Sequence, residues 1–180
     1  MSGIYGSFSV TLPVAWLAAL ATSELRLAVY GMRGLYGVTR FLHLVGVAGF
    51  VGTVMLIDLR GLGLFPAASM EPVRAPLGML LNAGFVVAVV SGLALFLYDP
   101  LGVGLHTMFL PKLVLIGFGL VHARGLRPLA GLRRTRLRRR GSAAISLLVW
   151  LSVMGCSTWN HVERPVRVNA ALAAELVGRE

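Results

Sequence analysis

Long apolar runs alternate with short polar breaks along this chain, and four of the runs are long enough to cross a membrane. About 20 apolar residues, each rising about 1.5 Å in a helix, span a bilayer core. Backbone groups in lipid must pair within their own segment, so these runs are predicted to be helices. The predicted spans are residues 35–57, 77–98, 105–123 and 143–159.

Residues 11–29 precede the first span and have a shorter apolar core, interrupted by Ser23, Glu24 and Arg26. We predict that this segment is an amphipathic helix lying at the membrane surface, with Trp16 as an interfacial anchor. A fifth, tilted span and a cleaved signal peptide are the alternatives.

The predicted fold is therefore a single all-α, integral-membrane domain. An N-terminal interfacial segment at 1–34 precedes a transmembrane four-helix bundle at 35–160, and a tail follows at 161–180. Composition agrees, since 57% of the residues are hydrophobic, 13% are charged and the mean hydropathy is +0.80. The single cysteine, Cys156, excludes an internal disulfide and any cysteine-based zinc or iron–sulfur site within the chain.

The net charge of +10 is concentrated between the third and fourth spans, where residues 124–140 contain eight arginines and no acid. The positive-inside rule places this loop in the cytoplasm, which puts both termini outside a bacterial inner membrane. Anionic lipid headgroups are the predicted partners of these arginines. Nucleic acid is not, because no aromatic residues lie among the basic ones to stack on bases.

One ionisable side chain, His43, interrupts the apolar run at 41–57. An ionisable group within a span is a functional-site hypothesis by default. Gly46 follows one turn later on the same face, and we expect it to leave room for a flat ligand such as a porphyrin. The alternative is a packed histidine that is hydrogen-bonded to a neighbouring helix.

Further polar residues are predicted to gather near His43. Lys112 lies about seven residues inside the third span, at a depth of about 10 Å that matches His43. Imidazole and thioether side chains are good haem-iron ligands, so we predict a haem b site in which His43 is the metal ligand. The other candidate cofactor-binding residues, including those of a possible inner site, are Lys112, Arg40, His161, His106, Met108 and His122.

Motifs along the chain resemble an uncharacterised bacterial integral-membrane family whose first long helix carries a Leu-His pair, here Leu42-His43, and ends in DLR-x-LG, here residues 58–63. The other matching positions are Tyr36, Gly46, Gly52, Ser91, Gly92, Phe96, Lys112, Leu113, His122 and Trp150. The layout is more distantly similar to copper-resistance-protein-D-like domains and to HemJ-type protoporphyrinogen oxidases. In those bundles an early histidine and a later Lys-Leu pair take the places of His43 and Lys112-Leu113.

Three functions are compatible with these observations. The first is a small cytochrome-like protein that transfers electrons through haem b. The second is a cofactor-free accessory or structural subunit of a larger membrane complex, which the small size and glycine-rich spans would suit. The third, which the HemJ resemblance implies, is the oxidation of protoporphyrinogen.

Overall fold

The computed structural model describes residues 11–32, 34–64, 71–126 and 135–162, and every regular element in these ranges is an α-helix. The helices in chain order are α1 (Val14–Ala21), α2 (Glu24–Gly31), α3 (Leu35–Leu62), α4 (Glu71–Tyr98), α5 (Pro100–Gly104), α6 (Phe109–Leu126) and α7 (Arg136–Val162). The predicted all-α class is therefore confirmed. Most of the predicted tail, and residues 127–134 of the arginine-rich loop, lie outside the described residues.

Three helical segments of the described chain are long and apolar enough to cross a membrane: Leu35–Leu62, Ala75–Tyr98 and Arg136–Trp159. The predicted start of the third span at Leu105 is wrong, because Leu105 caps α5 and α6 begins only at Phe109. The apolar part of α6 is consequently shorter than the other three. A fourth crossing, by α6, stays a prediction.

Two glycines delimit α3. Gly34 precedes the helix with φ +86° and Gly63 follows it with φ +102°, both in the left-handed region that favours glycine. At the second boundary, the Gly63 and Leu64 amides donate to the carbonyls of Arg60 and Leu59, at 3.0 and 3.1 Å. This is the Schellman pattern, so the final glycine of the DLR-x-LG motif has a physical role as a helix stop.

The second span ends at Tyr98, as the Asp99-Pro100 dipeptide predicts, but the next residues form a helix rather than a loop. The Asp99 side chain accepts a hydrogen bond from the Gly102 amide at 2.9 Å, and Pro100 occupies the first turn of α5. An aspartate cap followed by proline is a strong helix start. The predicted loop 124–140 is also partly helical, because α6 extends to Leu126 and α7 begins at Arg136.

The N-terminal segment forms two short helices instead of the single predicted one. The break falls at Thr22 and Ser23: the Thr22 hydroxyl donates to the Ala18 carbonyl at 3.1 Å, and the Ser23 hydroxyl accepts from the Arg26 amide at 3.3 Å. Side chains that pair with local backbone in this way end one helix and cap the next. Leu17 of α1 is fully buried and packs on α5, in a small cluster with Leu101.

The long helices pack in the order α4, α3, α7, α6, with α3 and α4 in the most extensive contact. The main core joins them around Phe50 and Trp150, whose rings meet edge to face with centroids 4.7 Å apart. Many large apolar side chains on the long helices are exposed, while the polar residues Thr53, Asp58 and Ser91 are buried. An apolar exterior around buried polar groups is the arrangement expected of helices in lipid.

Candidate functional site

The bundle has two ends, and each carries a histidine. At the α5 end, α3 begins and α4 ends; His43 lies within α3, toward this end. At the Asp58 end, α3 ends and α7 begins; His122 lies toward this end, in the second half of α6. Two of the predicted site residues are therefore at opposite ends of the bundle.

His43 is fastened to α4 through one ring nitrogen. Its Nδ1 lies 3.0 Å from the Ala88 carbonyl oxygen and 3.2 Å from the Ser91 hydroxyl oxygen. The Ser91 hydroxyl donates its own proton to the Val87 carbonyl. Since a carbonyl can only accept, we assign the proton to Nδ1, which donates to Ala88 and leaves the lone pair on Nε2.

The imidazole ring lies against a glycine of the facing helix. A Cβ atom at Gly92 would lie 3.1 Å from His43 Cε1 and 3.4 Å from Nδ1. Any side chain at this position would therefore press on the ring. Ser91 and Gly92 together hold the His43 ring in place, the first through a polar contact and the second by leaving room for the ring. The sequence singled out both residues only as part of a resemblance.

Gly46 does not provide the space that the sequence led us to expect. A Cβ atom there would lie 2.6 Å from the Ala88 nitrogen and 3.0 Å from the Gly84 oxygen, so backbone of α4 occupies this position. Gly84 is the reciprocal case, since its Cβ would lie 2.6 Å from the Phe50 nitrogen. Small residues on both helices bring the backbones together, which is a common mode of packing in membranes. The expectation of a porphyrin beside Gly46 is therefore wrong.

Lys112 lies in the first turn of α6 rather than two turns inside a span. Pro111 precedes it, and a proline is tolerated there because first-turn amides need no intrahelical acceptor. The Lys112 ammonium lies 5.4 Å from the centroid of the Phe109 ring. Lys112 and His43 both lie toward the α5 end of the bundle, on α6 and α3.

The other candidates near the α5 end are dispersed. Arg40 is exposed, one turn before His43. His106 and Met108 are half-buried in the segment between α5 and α6, where their carbonyls accept from the Phe109 and Lys112 amides. His161 falls in the last turn of α7, and its side chain lies outside the described residues.

A second polar cluster at the Asp58 end joins three helices. His122 Nε2 lies 3.2 Å from the Ser142 hydroxyl and 3.3 Å from the Ser142 carbonyl, which links α6 to α7. Asp58 of α3 is hydrogen-bonded to the Ser146 side chain of α7. The sequence suggested only an inner site at His122. The spacing of Ser142 and Ser146, one turn apart at the start of the fourth span, was the signal that could have identified the cluster.

Within the described residues, no group of three or more His, Cys, Asp or Glu side chains is arranged to hold a metal ion. Comparisons of the chain with protein-family models, with curated proteins and with solved structures found no match. The resemblances drawn from the motifs therefore stay predictions, and function is inferred from the geometry of the two clusters.

Proposed function

We propose that this protein is a small integral membrane protein that binds haem b through His43 and transfers electrons. The observation that supports this most directly is the hydrogen bond from His43 Nδ1 to the Ala88 carbonyl, 3.0 Å long. A histidine that ligates a metal characteristically donates its other ring nitrogen to a carbonyl or carboxylate, which fixes the tautomer and orients the ligating nitrogen. The haem, when bound, supplies one-electron redox chemistry.

The donor chemistry of His43 suits haem iron at Nε2, whereas the Gly46 face of α3 leaves no room for the macrocycle. Nε2 is the nitrogen left with a lone pair, and Ser91 adds a second polar contact at Nδ1. The Gly46 face is filled by α4, so a haem at this histidine cannot use it. Lys112, which lies toward the same end of the bundle as His43, would hold a propionate or serve as a further ligand. His122 is a weaker candidate ligand, because its Nε2 already contacts Ser142.

The test is an absorption spectrum of protein expressed with an adequate haem supply. The wild type is expected to show a Soret band that His43→Ala loses. His122→Ala is the matched control, since it removes another histidine that is hydrogen-bonded between helices, and it should retain the band. Colourless, folded wild-type protein would refute the proposal, and so would a band that His43→Ala leaves intact.

We also propose a bacterial inner-membrane location, with the Asp58 end in the cytoplasm and both termini outside. The exposed arginines at 136 and 138–140 lie at the start of α7, at this end, as the positive-inside rule requires. Both termini can lie outside only if α6 crosses as well. In support of this, Phe109 stacks on Phe96 at one end, with centroids 5.4 Å apart, and His122 contacts Ser142 at the other.

Thiol labelling distinguishes the proposed orientation from its inverse, and tests whether α7 crosses the membrane. Single cysteines at positions 136 and 171, in a Cys156→Ser background, are treated with an impermeant reagent added outside the cell. Position 171 should be labelled and position 136 protected. The reverse pattern would invert the proposed orientation, and labelling at both positions would contradict a crossing by α7.

A cofactor-free subunit of a larger membrane complex is the second candidate, and the glycine interface favours it. Gly46, Gly84 and Ala88 pack so closely that the His43 hydrogen bond could serve simply to fasten α3 to α4. In that case the purified protein has no Soret band and is extracted in mild detergent together with other subunits. Migration as a monomer on a native gel would argue against it.

A further inference from the structure

Asn82 is an exposed polar side chain within the apolar part of α4. It lies in the stretch Ala75–Tyr98, which is long and apolar enough to cross a membrane. The 24 residues of this stretch extend about 36 Å, and Asn82 lies about 7 Å from their midpoint. A hydrocarbon core extends about 15 Å to either side of its own midplane. When α4 spans the bilayer with this stretch centred in it, Asn82 therefore lies among the acyl chains, about 8 Å from the nearer headgroups.

The amide group of Asn82 is unsatisfied. Ser91 of the same helix is buried, and the exposed Ser152 of α7 donates its hydroxyl proton to the Leu148 carbonyl at 2.7 Å. Asn82 has neither protection, because it is exposed and its amide forms no hydrogen bond within the part of the chain that the structure describes. The side chain is too short to reach the headgroups, and donors and acceptors left unpaired in hydrocarbon are unfavourable. The position therefore calls for a hydrogen-bonding partner within the membrane.

Asn82 belongs to a row of exposed side chains along α4, which we call the α4 seam. Its members are Ala75, Met79, Asn82, Val86, Val89 and Leu93. They follow one another in alternating steps of four and three residues, the spacing with which two helices pack at about 20° in a left-handed pair. Among the described helices α4 packs mainly on α3, and it does so through a different face, on which Gly84 lies. The α4 seam is thus a helix-packing surface on the outside of the bundle.

We propose that the α4 seam is a dimer interface and that its occupant is the α4 seam of a second copy of this chain. Two copies with the same topology are related by a twofold axis along the membrane normal, so their α4 helices lie parallel. Each residue next to the axis then meets its own copy at the same depth. The two Asn82 side chains consequently face each other in the interior of the bilayer.

Asn82 is suited to this pairing because its amide is self-complementary. The NH2 group of one copy donates to the carbonyl oxygen of the other and that copy returns the same bond. The remaining positions of the α4 seam are apolar and contribute close packing, whereas a single asparagine in such a seam fixes the register and the partner. A lipid chain or a purely apolar helix would cover the same surface and leave the amide unpaired. Dimerisation through α4 does not depend on haem binding at His43.

Förster transfer between differently labelled copies of the full-length protein in lipid vesicles measures the dimerisation constant. The wild type should dimerise, and Asn82→Leu should weaken the dimer about tenfold, the loss expected for hydrogen bonds between helices in a membrane. Asn82→Gln keeps the amide and should remain closer to the wild type. Ser152→Leu is the matched control, since it removes an exposed polar side chain of another span whose hydroxyl is already bonded, and it should leave the constant unchanged. Circular dichroism establishes that each variant is folded.

Disulfide cross-linking in native membranes tests the interface while Asn82 is intact. In a Cys156→Ser background, Val86→Cys and Val89→Cys should form covalent dimers on mild oxidation, whereas Val114→Cys, at an exposed position of α6, should not. A wild type that stays monomeric in vesicles, a dimer that Asn82→Leu leaves unaltered, or equal cross-linking from α4 and α6 would each overturn the proposal. Cross-linking of the α4 positions to a protein of different mass would also overturn it, because the occupant would then be another subunit.

Discussion

The packing of α3 against α4 predicts that the same substitution at two glycines of α3 will have different effects on stability. Gly46 and Gly52 both lie within α3. A methyl group at Gly46 would lie 2.6 Å from the Ala88 nitrogen, whereas at Gly52 it would have no atom within 4 Å. Gly46→Ala should therefore destabilise the protein relative to Gly52→Ala.

The expected difference follows from the contact distance. Non-bonded carbon and nitrogen atoms prefer a separation of about 3.5 Å or more, so α4 would have to move by roughly 1 Å. The obstructing atoms are backbone, which cannot rotate away as a flexible side chain does. Overpacking of this kind costs about 1–3 kcal/mol. Both variants gain the same helix propensity from alanine, about 1 kcal/mol, so that contribution cancels in the comparison.

The free energy of unfolding can be measured by titrating the detergent-solubilised protein with SDS and following helix content by circular dichroism. Gly46→Ala is expected to be about 1–3 kcal/mol less stable than Gly52→Ala. Gly84→Ala, whose methyl group would lie 2.6 Å from the Phe50 nitrogen, should behave like Gly46→Ala. One displacement of α4 relieves both clashes, so the double variant should lose less than the sum. Equal stability of Gly46→Ala and Gly52→Ala would refute the described interface.

Three further predictions concern other parts of the fold. Leu17→Ala, at a fully buried position, should cost about 2–5 kcal/mol, detected as faster hydrogen exchange in α1, whereas Leu25→Ala, 61% exposed, should change exchange little. Trp150→Ala should cost about 3–5 kcal/mol of unfolding free energy in the SDS titration, and Trp159→Ala, 54% exposed, clearly less. If haem is bound as proposed, Ser91→Ala should retain the Soret band but shift the midpoint potential, because it alters the hydrogen bonding of the His43 imidazole; an unchanged potential would contradict this role.

Local signals in the sequence predicted much of the helical organisation. The apolar run beginning at residue 35 is a helix from Leu35, and Asp99-Pro100 ends the second span where expected. Both boundaries depend on the backbone preferences of a few neighbouring residues. The start of α6 was mispredicted because Leu105 and Met108 extend the apolar run at 109–121 toward the N-terminus, and hydrophobicity does not distinguish a turn from a first helical turn. Pro111 was the better guide, since it fits the first turn of a helix and not its interior.

Tertiary contacts account for what the sequence did not reveal. A glycine within a span is equally compatible with an open space and with a close helix contact, and only the position of α4 assigns Gly46 to the second. For His43, in contrast, the position of α4 does not separate the alternatives, because both the predicted ligand and the packed histidine require a hydrogen bond to a neighbouring helix. The bond to Ala88 therefore limits His43 to chemistry at Nε2. Iron binding at that nitrogen predicts a Soret band that His43→Ala loses, and this spectrum separates a ligand from a packed histidine.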